Sequence, residues 1–115
     1  MGKKVVSPGQ LISGANVIGN LVYTAGMTGG QGDTETQIRN TFQRLKDVLE
    51  NSGTSMDNVL KATVFLADLS DRSKYLNGIW KEYFPHNPPS RTCIQVGLSD
   101  GIKIEIEMIA FIPEK

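Results

Sequence analysis

The chain has 115 residues, 39% of them apolar, with twelve basic residues against twelve acidic ones. That length fits one domain around one core, residues 1–115, and a core so small gains from association with copies of itself. A net charge of zero argues against a phosphate-driven nucleic-acid binder, which draws its affinity from counterion release around excess Lys and Arg.

Cys93 is the single cysteine, so no intrachain disulfide forms, and a lone thiol suits a reducing compartment. The opening Met1-Gly2-Lys3-Lys4-Val5-Val6 lacks the apolar run of a secretory leader. No stretch approaches the roughly 20 apolar residues that cross a bilayer. The expectation is a cytoplasmic protein without a membrane partner.

In chain order, Lys3 to Val6 predicts a short edge strand ended by Ser7-Pro8-Gly9. Val17-Ile18 and Leu21 to Thr24 predict two strands joined by Gly19-Asn20, a pair suited to a primed hairpin turn. A glycine-rich loop follows from Gly26 to Gly32. Asp33 or Thr34 caps the next helix, whose core stripe is Ile38, Phe42, Leu45 and Leu49. Gln37, Arg39, Gln43, Lys46 and Asp47 are assigned to its wet side, and Gly53 ends it. Leu60, Ala62, Val64 and Leu66 then alternate with Lys61, Thr63 and Phe65, predicting a strand with one apolar face. A second helix is expected over about Ser70 to Tyr83, stopped by Pro85 and by Pro88-Pro89.

The last third predicts two strands either side of Ser99, Arg91 to Gly97 and Ile102 to Ile112. If Ile94 and Val96 pack under the helices with Ile102, Ile104, Ile106 and Met108, period-two geometry puts Arg91, Cys93, Glu105 and Glu107 together on the opposite surface. That surface also holds Phe65, Ile109 and Phe111. Two helices cover only one side of the sheet, so a half-apolar open face is expected to meet another copy of the chain.

Each chemical candidate has an ordinary alternative. Arg91 can grip a carboxylate through two parallel hydrogen bonds, or simply pair with a glutamate. Glu105 and Glu107 can position water or shuttle a proton, or form a surface ladder with Lys103. Cys93 reads better as a small buried side chain than as a nucleophile, because His86 is the only histidine and no triad surrounds it. One cysteine and one histidine give no metal site. The Gly26 to Gly32 loop lacks the Gly-Lys-Ser/Thr ending of a phosphate loop. Trp80 and its aromatic neighbours match helix packing, without a stacking platform, and Asn77 is a polar residue on that helix.

The run Pro89-Ser90-Arg91-Thr92-Cys93-Ile94-Gln95-Val96, followed by Ile102 to Ala110, resembles the signature of the Rid/YjgF family. These are reactive intermediate imine deaminases, also described as L-PSP endoribonucleases or translation inhibitors. Gly19 to Gly26 and Val59 to Leu69 are similar to it as well, so the likeness spans most of the chain from about residue 17.

The resemblance implies a chorismate-mutase-like α+β fold: a mixed sheet of about six strands, two helices on one face, and a homotrimer with a central barrel and clefts between subunits. It implies that Arg91 binds a ligand carboxylate and that Glu105 orients water or exchanges a proton. Backbone groups at Cys93 and the loop near Gly26 would hold the reacting end, with Asn77 close to the cleft. The implied reaction is hydrolysis of a 2-imino acid or its enamine tautomer, of the 2-aminoacrylate type, to a 2-keto acid and ammonia. No cofactor is needed, because a protonated imine carbon is already electrophilic.

Two departures alter the cleft. Ile12 stands where many members carry a tyrosine, and Ala25-Gly26-Met27 replaces a familiar Ser-Gly-Gln. The lining becomes more apolar. A non-catalytic trimeric module binding small carboxylates or proteins is therefore the alternative function, with an endoribonuclease or translation inhibitor a weaker one.

Overall fold

A computed structural model describes residues 2–114; Met1, the first residue of the stretch read for a leader, lies outside them. Six strands form one mixed sheet: β1 (Lys4–Val6), β2 (Ala15–Ile18), β3 (Leu21–Thr24), β4 (Val59–Leu66), β5 (Ser90–Gln95) and β6 (Ile104–Phe111). Their order across the sheet is β1-β2-β3-β6-β4-β5, antiparallel except for the β4–β5 pair. Helix α1 (Thr34–Asn51) and the shorter α2 (Asn77–Tyr83) lie against one face. The chain extends 41 × 36 × 19 Å, the thickness of one sheet and one helix layer.

Local chemistry explains the elements. Gly19 adopts φ 57°, the turn conformation that joins β2 to β3 at the width of a two-residue hairpin. Asp33 caps α1 by accepting a hydrogen bond from the Thr36 amide at 2.8 Å. This bond holds the Asp33 carboxyl below its usual range.

Ile38, Phe42, Leu45 and Leu49 are fully buried against Val64, Leu66, Ile104, Ile106 and Ala110. Burial of this stripe is what fixes the helix on the sheet.

Four sequence expectations change. Leu60 is 45% exposed, because a bulge between Val59 and Lys61 takes it out of the apolar row of β4. Gln37 is fully buried despite its place on the expected wet side. The second helix opens with a π-helical turn, Arg72–Leu76, before α2 begins.

The fourth change concerns β5. Its parallel register sets Arg91 beside Ala62, Cys93 beside Val64 and Gln95 beside Leu66, and Ala62, Val64 and Leu66 are the helix-facing row of β4. Arg91 and Cys93 therefore lie on the helix side, while Ile94 and Val96 face outward at 43% and 37% exposed. Glu105 and Glu107 do face away from the helices, beside Phe65 and Thr63. The expected shared surface of Arg91, Cys93, Glu105 and Glu107 does not exist within one chain.

Candidate functional site

Two separate clusters carry the predicted residues. The first forms where β3 runs out and β6 begins. Met27 and Ile106 exchange backbone hydrogen bonds of 2.8 and 3.0 Å, which sets the preceding Gly26 directly against the Glu105 side chain. A Cβ at Gly26 would lie 2.9 Å from Glu105 Cδ and overlap Oε2. Glycine is required there because the carboxylate occupies the space of a side chain. Glu105 also borders a shallow recess of about 340 Å³ with Phe65, Val96, Gly97, Leu98 and Ser99.

Gly26 further shares a hollow of about 370 Å³ with Ile12, Ala25 and Arg44. The loop carrying Ile12 is fastened by the Ala25 amide, which donates to Gly14 O at 2.8 Å. Ile12 is 72% exposed, whereas Met27 is buried in the core. Of the two apolar replacements, Ile12 presents most of its side chain outward.

The second cluster lies at the β5 edge. Arg91 Nη1 donates to Asn77 Oδ1 at 3.0 Å, and its guanidinium carbon sits 4.9 Å from the centroid of the Trp80 ring. The π-helical turn ends at Asn77, so an element in which extra residues are wound into one turn sets that side chain's position. Arg39 braces the helix pair, donating through Nη1 and Nη2 to the two carboxylate oxygens of Glu82 at 3.1 Å each.

The aromatic platform was not foreseen: Trp80 packs in the helix layer and also carries a cation on its face. The legible signal was a tryptophan three residues after Asn77 on the same short helix. Among the described residues Arg91 has no ion pair, and every such pair belongs to Arg39.

Cys93 is half-buried next to this cluster. Burial pushes its thiol above the ordinary value, an effect only partly offset by the charges of Arg91 and Arg72. A thiol protonated at neutral pH is a poor nucleophile, in keeping with the side chain's reading as a packing residue.

The structure thus brings Gly26 to Glu105 and Ile12 to Gly26, and separately Asn77 and Trp80 to Arg91. It does not bring Arg91 to Glu105, which occupy opposite faces of the sheet. Each cluster holds part of the predicted chemistry.

The model of the family described as Endoribonuclease L-PSP matches residues 4–112. The chain belongs to this family, also called Rid/YjgF. Among Rid/YjgF relatives, a RutC family protein of Pyrococcus abyssi is 35% identical over 103 residues, covering 82% of this chain and 80% of its own. The crystal structure of RidA from an Antarctic Psychrobacter is 31% identical, with a TM-score of 0.85 over 95% of this chain and 94% of that one. A YjgF family protein of Neisseria meningitidis, 23% identical, superposes with a TM-score of 0.94 over 100% of this chain and 98% of that one, a likeness of fold. The predicted anchor and acid, Arg91 and Glu105, are divided by the fold between the two clusters.

Proposed function

We propose that this Rid/YjgF chain hydrolyses 2-imino acids and their enamine tautomers to 2-keto acids and ammonia, in clefts shared between the subunits of a homotrimer. The observation that carries the reading is Arg91. Its guanidinium is held between Asn77 and Trp80, and no carboxylate of its own chain pairs with it among the described residues. A cation positioned in advance and left unpaired is suited to a carboxylate ligand, since little ordering remains to be done on binding.

In this mechanism Arg91 anchors the substrate carboxylate and so fixes the adjacent imine carbon. Water attacks that carbon while Glu105, contributed by a neighbouring copy, accepts its proton. The carbinolamine forms, its nitrogen takes up the proton from Glu105, and ammonia leaves as the C–N bond breaks, the hydroxyl proton passes to the Glu105 carboxylate and the keto C=O forms. Backbone groups near Gly26 and Cys93 orient the reacting end. The separation of Arg91 from Glu105 supports a shared cleft, because only a second copy can present one residue to the other.

The assay is decay of enzymatically generated 2-aminoacrylate. Wild type is expected to accelerate keto-acid release over buffer, with Arg91→Ala and Glu105→Ala each lowering kcat/KM by about a hundredfold or more. No acceleration by wild type removes this reading. The second reading, a trimeric module that binds small carboxylates without catalysis, is favoured by the exposed apolar Ile12. It predicts saturable binding of a 2-keto acid with no turnover.

A further inference from the structure

We infer that Gln37 is the positioning residue of the Glu105 carboxylate, holding it in place through the two loops that build its surroundings. The inference rests on the reading of Glu105 as the proton-exchanging group.

Gln37 lies in the first turns of α1 and is fully buried. Its Nε2 donates to Gly32 O and to Gly101 O, each at 2.9 Å, and its Oε1 accepts from the Lys103 amide at 2.8 Å. Both donor hydrogens and the acceptor of one side chain are in use. The first partner belongs to the loop that brings Gly26 to Glu105. The other two belong to the segment that leads into β6, where Glu105 is the second residue.

Further bonds make the arrangement rigid. Gln31 Nε2 donates to Asp100 O at 3.1 Å, and Lys103 O accepts from the Ala67 amide at 3.0 Å. Lys103 is thereby pinned on both its amide and its carbonyl, two residues before Glu105. A Cβ at Gly29 would overlap the Gln37 backbone carbonyl, so the glycine loop is laid directly on this turn of the helix.

Buried hydrogen bonds of this kind hold geometry firmly, because no water replaces a lost partner and the unpaired group bears its full desolvation cost. Gln37 touches neither recess, so its influence on chemistry passes through backbone. A shift of about 1 Å at Glu105 suffices to change a rate by up to roughly a hundredfold. The substrate anchor Arg91 is held by Asn77 and Trp80, and neither of these is a hydrogen-bond partner of Gln37.

The test compares Gln37→Met, which keeps length and volume but removes all three bonds, with Gln37→Glu, which keeps only the acceptor for Lys103. In a crystal structure of Gln37→Met the Glu105 carboxylate is expected to leave its position over Gly26. In the imine assay kcat falls by about ten- to a hundredfold while KM changes by less than about twofold, and Gln37→Glu lies between Gln37→Met and wild type. Combining Gln37→Met with Glu105→Gln adds no loss beyond Glu105→Gln alone. A carboxylate that stays in place, or losses that multiply in the double variant, overturn the inference. If Gln37→Met does not fold, the same structure and rates on Gln37→Glu decide. A wild type without activity defeats the deaminase reading instead, and the variant structures still settle whether Gln37 positions Glu105.

Discussion

Gly26 shows how closely the Glu105 carboxylate is packed. The side chain of any other residue would enter the space Oε2 occupies, so Gly26→Ala is expected to displace the carboxylate rather than unfold the chain. The expected result is a loss in kcat of about tenfold or more, with a melting temperature within a few degrees of wild type. Arg91 offers a direct optical test because Trp80 is the only tryptophan. A carboxylate bound to Arg91 alters the field 4.9 Å from the indole ring. Titration with pyruvate is therefore expected to change Trp80 emission saturably in wild type and to leave Arg91→Ala unchanged. Arg91→Lys is expected to bind weakly, since an ammonium cannot both stack on the indole and present a planar fork. At this scale the sequence singled out candidate residues for the chemistry, but not what holds them. Gln37 and Trp80 were missed in that role. A polar side chain at the border of a helix stripe and an aromatic within one look the same whether they brace a neighbour or merely fill space.

The elements were largely legible, because each is fixed by local rules. The Asp33 cap of α1, the hairpin at Gly19 and the proline stop after α2 all stand where local chemistry puts them. The cap also gives a pH dependence of known sign. The Asp33 carboxyl is lowered by its bonds to Thr36, so its contribution is complete above the ordinary carboxylate range and is lost as pH falls through the lowered value. Thermal melts should show Asp33→Ala less stable than wild type at pH 7, with the two curves converging toward pH 2. In the core, Leu45→Ala is expected to cost about 2–5 kcal/mol by urea unfolding, since a fully buried leucine leaves a cavity. The bulge that expels Leu60 and the π-helical turn before Asn77 were not legible. Each adds residues to a regular repeat, and a periodic pattern in sequence has no mark for that.

The whole molecule is a slab with helices on one side and a half-apolar sheet face on the other. Val5, Ile18, Tyr23, Ile94 and Val96 are each more than a third exposed, and Ile109 and Phe111 are only half-buried in the middle of that face. An open sheet face that carries these apolar side chains is suited to burial against other copies. If the proposed trimer uses it, Ile109→Asp is expected to convert the assembly to monomer in light scattering and to abolish imine hydrolysis together. A wild-type monomer at micromolar concentration would contradict the shared cleft. The sequence by itself determined the family and the order of strands and helices, and it offered Arg91 and Glu105 as candidates, because these depend on local pattern and on residue type. Only the tertiary structure decided which way β5 faces. Alternation placed its more apolar row, Ile94 and Val96, toward the helices, and the fold turns that row outward. The parallel pairing of β5 with β4 is what turns Arg91 toward the helices, and a pairing between strands nearly thirty residues apart is set by packing of the folded chain.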